Sequence, residues 1–397
     1  MGDISTGGAT TVQGTWDTQF EGVKDAFHQQ LDRGEDIGAS VSVFVDGQVV
    51  VDIWGGYFDG TFTRPWERQT IVQLFSVTKT ITALCALVLA DHGELDLDAP
   101  VAKYWPEFAQ NGKSRIAVKQ LLGHTSGVAG WTEPTTIQDI LDVEKATATL
   151  AKQAPWWEPG RTSGYHGMSQ GHLVGEVIRR ITGKSLGKYL AEDVAGPVGA
   201  GKDIYIGTPA EADSRVSVLI QGTPLEPPAN RWAARSLYNP RVTPQDTWDI
   251  PWRRAELGAI NGHANGRGIA TVQSILASGG ANGVRLMSDA GRACAVEQQS
   301  DGADLVTGLP MRWGMGYSLD QSLFGLPESR RIGWWAGNGG SMSYVDLDAR
   351  MSVGYAQNRW LGGGLNSLLR SRSLIAAAYA ALEGLQLRGT ERMRAHG

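Results

Sequence analysis

Hydrophobic positions change their spacing several times along the chain, and each change marks an element. Between residues 16 and 33, Phe20, Val23, Phe27 and Leu31 recur at helical intervals and predict a helix with one apolar face. The period then shortens. Ala39 to Val45 and Val49 to Trp54 are apolar and β-branched, and Asp46-Gly47 between them is a hairpin turn signal. Residues 71 to 92 predict a short extended approach, then a helix apolar on all sides and therefore buried. From about 93 to 255, helical segments alternate with loops rich in Pro, Gly and Trp, such as Trp156-Trp157 with Pro159-Gly160, and the stretch holding Pro224, Pro227 and Pro228. Residues 266 to 279 read as a helix. Ser341 to Leu347 and Met351 to Ala356 predict a second hairpin, and Leu365 to Leu382 a closing helix.

The two hairpins lie near opposite ends of the chain. The economical arrangement is an α/β (α+β) fold, an antiparallel sheet flanked by helices. Residues 1–92 and 256–397 would build that domain together, and residues 93–255 would form a mostly helical inserted domain.

Composition narrows the function class. With 397 residues, 42% hydrophobic and 19% charged, the chain buries a sizeable core and is not disordered. A net charge of −5 without a basic run argues against nucleic acid as a partner. Two cysteines, Cys85 and Cys294, exclude a disulfide framework and a cysteine-based zinc site. The most apolar run, Ile81 to Ala90, is too short for a membrane span and reads as a core helix. The N-terminal residues lack the apolar centre of a secretion signal, so the expected location is the cytoplasm.

The candidate chemistry begins at Ser76 and Lys79. They form an S-x-x-K pair in Leu74-Phe75-Ser76-Val77-Thr78-Lys79, where the extended approach becomes the buried helix. Three residues apart on a helix, the two side chains share a face. A serine hydroxyl needs a base to become nucleophilic, and a lysine qualifies when burial lowers its pKa. Other patterns compete. Ser185 with Lys188 is a second S-x-x-K, but Ser185 reads as a helix cap. Gly167-Met168-Ser169-Gln170-Gly171 matches G-x-S-x-G without the strand that a nucleophile elbow requires before it. Gly196 to Lys202 matches a phosphate loop, but Asp203 stands where a magnesium-binding hydroxyl belongs. His124 and His263 lack metal-ligand spacing and read as structural.

In order along the chain follow Leu121-Leu122-Gly123-His124-Thr125-Ser126-Gly127, Tyr165-His166-Gly167, Asn261 to Gly268, and Trp335-Ala336-Gly337-Asn338-Gly339-Gly340-Ser341. With the Ser76 block, this series resembles the serine β-lactamase and penicillin-binding-protein-like superfamily. Within it, the chain is most similar to class C β-lactamase-like carboxylesterases, the family VIII esterases. The resemblance implies a serine nucleophile at Ser76, Lys79 beside it and Tyr165 completing the proton relay. It implies an oxyanion hole from the Ser76 and Asn338 N–H groups, and no metal or organic cofactor. A Tyr165 acting as base requires a lowered pKa, which Lys79 as a neighbouring cation would supply; which of the two holds the proton stays open. Trp335, Gly337 and His166 are expected to line the substrate pocket.

Two departures from the β-lactamase pattern point to the substrate. Gly167 replaces the asparagine of Tyr-x-Asn, and Trp335 replaces the lysine of Lys-Thr-Gly. Both weaken the case for lactams and peptides and favour neutral, apolar esters; the expected substrates are small carboxylic esters with short acyl groups. A β-lactamase or D-amino-acid peptidase on the same scaffold is the alternative, and a binding homologue without chemistry a more distant one. Oligomeric state is not legible.

Overall fold

The computed structural model describes residues 11–222, 230–361 and 365–395. The N-terminal segment read for a secretion signal, and Pro224, Pro227 and Pro228, lie outside the described residues.

The chain opens with β1 (Gln13–Trp16), which takes part of the span expected to be helical; its register against Val51–Trp54 delays α1 to Glu21–Asp32. The first hairpin follows as β2 (Gly38–Val45) and β3 (Gln48–Gly56). Asp46 and Gly47 adopt φ values of 50° and 76°, the backbone that a two-residue turn needs to match strand twist. After β4 (Ile71–Gln73), a single 3₁₀ turn leads into α2 (Thr78–Asp91), buried along nearly its whole length.

The middle of the chain supplies α3 (Ser169–Thr182), β5 (Ile204–Ile206), β6 (Val216–Ser217) and α4 (Arg231–Leu237). The last third supplies β7 (Gly262–Ala264), α5 (Gly266–Ser278), β8 (Ile332–Ala336), β9 (Met342–Asp346), β10 (Met351–Gln357) and α6 (Leu365–Ala395). The second hairpin is therefore β9–β10, and the closing helix runs past the Leu382 expected as its end.

The main sheet has the order β1-β3-β2-β10-β9-β8 and is antiparallel throughout. Its centre pairs β2 with β10, so the two ends of the chain meet there. On one face α1 and α6 pack through Val23, Phe27, Leu31, Leu374, Ile375 and Ala378 against Val43, Ile53 and Val353. On the other face α5 lies directly on the sheet. A Cβ on Gly354 would stand 2.2 Å from the Gly266 carbonyl, an approach that only glycine allows. Beyond α5, α2 sits inside the second, larger core cluster.

A second sheet, in the order β5-β7-β4-β6, joins strands from both sides of the boundaries expected at 92/93 and 255/256. Its strands are two or three residues long, too short to carry a sequence period. This sheet sets the position of the serine turn. The Leu74 N–H donates to the Gly262 carbonyl, the Gly262 N–H donates to Thr78 Oγ1 (2.8 Å), and the Thr78 hydroxyl donates to the Phe75 carbonyl.

Candidate active site

Ser76 sits in the 3₁₀ turn Phe75–Val77 at the mouth of α2. Phe75 immediately before it adopts φ 48°, a left-handed backbone that is costly for a bulky residue. The strain is held by the hydrogen bonds to Gly262 and Thr78 and by burial of the Phe75 ring. The outcome is a partly exposed Ser76 above an otherwise buried turn.

Lys79, one turn on, is 1% exposed. Its amine lies 2.7 Å from the Gly167 carbonyl, 3.0 Å from the Ala259 carbonyl and 3.2 Å from Ser76 Oγ. Burial holds its pKa well below the usual lysine range. A neutral amine has two N–H groups and one lone pair. In that neutral form the two carbonyls would take the N–H groups and leave the lone pair for the Ser76 hydroxyl, whereas a charged amine donates to Ser76 Oγ as well.

Tyr165 is 6% exposed, with its ring stacked on Trp313 (centroids 5.8 Å, 6° between planes). The Lys79 amine lies 4.7 Å from the centre of that ring. The Trp335 indole N–H donates to the Tyr165 hydroxyl at 2.9 Å. The expectation of a lowered tyrosine pKa is overturned. Burial pushes the phenol up, and hydrogen bonding with Ser76 and Trp335 only partly opposes it. The physical reason is shared desolvation: the burial that pushes the Tyr165 phenol up also disfavours the charged form of Lys79, the cation that was to stabilise a phenolate.

The strand β8 ends at Ala336, and the turn that follows presses on the serine turn. Gly337 is buried, and a Cβ there would stand 2.0 Å from the Leu74 carbonyl. The Gly337 N–H donates to the Ser341 carbonyl (2.8 Å) and the Gly340 N–H to the Gly337 carbonyl (3.0 Å). Among the described residues, no acceptor meets the Asn338 N–H. Trp335, Trp313 and Tyr165 form one apolar cluster with Trp156, Trp157 and Trp232. Trp156 and Trp232 stack at 5.7 Å.

His166 does not line the cleft as expected. It is fully buried, its Nδ1 donates to the Gly164 carbonyl (2.7 Å), and its Nε2 accepts from the Ser126 hydroxyl (2.6 Å). Burial lowers its pKa to about 4. The other motif candidates lie elsewhere. Ser169 is buried and donates to the Val128 carbonyl. Ser185 caps the helix Leu186–Tyr189, with its hydroxyl on Glu256. The Gly196–Lys202 segment follows a helical turn rather than a strand. His124 is buried beneath Tyr165, its Nδ1 accepting the His166 N–H. Among the described residues, no three His, Cys, Asp or Glu side chains gather as metal ligands. No helix there is long and apolar enough to cross a membrane.

Two residues that sequence reasoning passed over hold the Tyr165 segment. Ser236, on α4, accepts the Gly167 N–H (2.9 Å) and lies 2.7 Å from both the Tyr165 and Ala129 carbonyls. It also explains Gly167: a Cβ there would stand 2.6 Å from the Ser236 carbonyl. Asp304, 1% exposed, accepts the Tyr165, Val306 and Thr307 N–H groups and the Trp313 indole. Neither sits in a motif.

A serine and a buried lysine at the start of a core helix, on an antiparallel sheet covered on both faces, define a serine hydrolase of the β-lactamase/transpeptidase-like fold. The chain belongs to the Beta-lactamase family, whose model matches residues 23–377. It is 30% identical to Esterase/beta-lactamase LipL of Mycobacterium tuberculosis over 381 residues, 88% of this chain and 83% of that protein. A family VIII carboxylesterase of known crystal structure superposes with a TM-score of 0.88 at 39% identity, over 94% of this chain and all of that one. A penicillin-binding protein homologue from Caulobacter crescentus gives 0.85 at 33%, with the same coverage of this chain and all of its own. These matches bear out the resemblance drawn from the ordered motifs.

Proposed function

We propose that this chain is a serine carboxylesterase acting on small carboxylic esters with short acyl groups, in the cytoplasm and without a nucleic-acid partner. The observation that carries the reading is the Lys79 amine, buried, held by two carbonyls and facing Ser76 Oγ at 3.2 Å. The site would lie between the two expected domains. Residues 1–92 with 256–397 contribute Ser76, Lys79 and Asn338, and residues 93–255 contribute Tyr165.

Ser76 Oγ attacks the ester carbonyl carbon while its proton passes to Lys79. The oxyanion settles between the Ser76 and Asn338 N–H groups; one such donor is worth roughly 3–4 kcal/mol in the transition state. As the C–O bond breaks, Tyr165 gives its proton to the departing alkoxide and regains one from the Lys79 ammonium. Water then attacks the acyl-serine, passes a proton through Lys79 to Ser76 Oγ, and the acid leaves. Each step uses only groups of this chain and water. The pKa directions favour Lys79 for the base role that the sequence left open. Trp335 at the lysine position of Lys-Thr-Gly supports neutral esters, because no cation stands there to meet a carboxylate. A nearby wall of indoles suits an apolar ester group.

Hydrolysis of p-nitrophenyl butyrate and of a chromogenic cephalosporin by the parent and by Ser76→Ala, Ser169→Ala and Ser185→Ala tests this. The ester is the preferred substrate, Ser76→Ala alone abolishes turnover, and a fluorophosphonate labels Ser76. A strong preference for the cephalosporin, or for a D-peptide, overturns the esterase reading. Turnover surviving in Ser76→Ala overturns the nucleophile.

A further inference from the structure

The turn after β8 is tied to a buried charged pair that takes no part in the chemistry proposed above. Arg370 on α6 and Asp36 before β2 form an ion pair at 2.6 Å, with side chains only 3% and 0% exposed. The other carboxylate oxygen of Asp36 accepts the Tyr355 hydroxyl at 2.6 Å. The guanidinium reaches past Asp36 and donates through Nη2 to the Gly339 carbonyl. Gln357 donates to the same carbonyl at 2.9 Å. Glycine is required for this approach, since a Cβ on Gly340 would stand 2.6 Å from the Arg370 Nη2.

The bonds continue in one direction. The Gly339 carbonyl and the Gly340 N–H belong to one peptide group. That N–H donates to the Gly337 carbonyl at 3.0 Å. The Gly337 carbonyl and the Asn338 N–H belong to the next peptide group, and in a trans peptide the two point opposite ways. The Asn338 N–H is thus turned out of the turn, where no acceptor among the described residues meets it.

We propose that Arg370, oriented by Asp36, is a positioning residue for the oxyanion hole, acting on the Asn338 N–H through two hydrogen-bonded peptide groups. This rests on the reading of Ser76 and Asn338 given above. A fixed cation heads the chain, and the oxyanion forms at its foot. In a buried setting such linked bonds polarise one another, so each N–H becomes a better donor. The linkage also fixes the orientation of the Asn338 peptide before substrate arrives, which is the condition for transition-state stabilisation without reorganisation. Asp36 keeps the buried guanidinium paired, without which its burial would be costly.

The contribution belongs to the transition state and not to ester binding. Arg370→Ala lowers kcat about tenfold with KM within about twofold, less than outright loss of an oxyanion donor because Gln357 still holds Gly339. Affinity for an aryl trifluoromethyl ketone, which forms an oxyanion on Ser76, falls in step with kcat, and added guanidinium at concentrations below denaturation restores part of both. An Arg370→Ala protein that melts cooperatively yet keeps kcat and ketone affinity overturns the inference. Should that variant not fold, Gln357→Met reads the same carbonyl from the other side. A several-fold fall in kcat at unchanged KM supports the relay, and an unchanged kcat overturns it. Fluorophosphonate labelling of the parent separates the two levels: label absent from Ser76 sinks the underlying site, whereas Ser76 labelled and kcat insensitive to Arg370 or Gln357 sinks only the relay.

Discussion

At the scale of residues, the same lack of water disfavours the charged forms of Lys79 and Tyr165, and their pKa values move in opposite directions as a result. The sign of the pH dependence follows. With Lys79 as the proposed base, which acts only when unprotonated, kcat/KM is expected to fall as pH drops through its lowered pKa. Tyr165 donates only when protonated, and its raised pKa keeps it so beyond the ordinary phenol value of about 10. The kcat/KM profile is therefore expected to show an acid limb displaced below the usual lysine range and no alkaline limb up to about pH 10. Tyr165→Phe removes the proposed proton donor and is expected to lower kcat by roughly 10²–10⁴-fold while the acid limb persists. Loss of the acid limb in that variant would make Tyr165 the base. Ser76 and Lys79 were legible because their relation is local, one helical turn. Which of Lys79 and Tyr165 carries the proton was not, because it depends on burial by segments distant in sequence, such as Gly167 and Ala259.

At the scale of elements, the candidate site is a meeting of three turns that share no sequence neighbourhood. The serine turn and the turn after β8 touch at Gly337, where a Cβ would stand 2.0 Å from the Leu74 carbonyl. Gly337→Ala forces these two backbones apart, and kcat falls by about 10²–10³-fold, as for loss of one oxyanion donor. Steady-state kinetics beside circular dichroism checks that the fold survives. The third turn, Tyr165 to Gly167, is fastened by Ser236. Ser236→Ala leaves the Gly167 N–H and the Tyr165 and Ala129 carbonyls short of a buried partner. Urea denaturation is expected to show a loss of about 1–3 kcal/mol. Ser236 and Asp304 were illegible for a plain reason: a single polar residue in an irregular segment carries no period and no motif. Tyr165 and the Trp335–Asn338 segment were legible only as members of an ordered series.

At the scale of the molecule, the hairpins and the buried α2 were readable because alternation and apolar runs are local. That both chain ends build one domain followed only from economy, and the pairing of β2 with β10 at the centre of the sheet was not legible. What joined the layers was hidden, as in the contact of Gly354 with α5. Gly354→Ala places a Cβ 2.2 Å from the Gly266 carbonyl and 2.6 Å from the Ala270 nitrogen. Overpacking of this kind costs about 1–3 kcal/mol, seen as a lowered Tm with the remaining activity intact at low temperature.

The sheet also has a history in time. At its centre, the Gly38 N–H donates to Asn358 Oδ1 across 320 residues of chain. A ribosome adding 5–20 residues each second takes roughly 15–60 s to make that stretch. The Ser76 hydroxyl is synthesised early in the interval. The carbonyls that hold Lys79 come later, and the turn carrying Asn338 arrives near the end. Through that wait a nascent chain carries Ser76 without the proposed oxyanion donor Asn338, and without the carbonyls that bury the Lys79 amine. On the proposed reading, the nucleophile is made long before it is armed, and the turn that would arm it is translated just before the last strands of the main sheet.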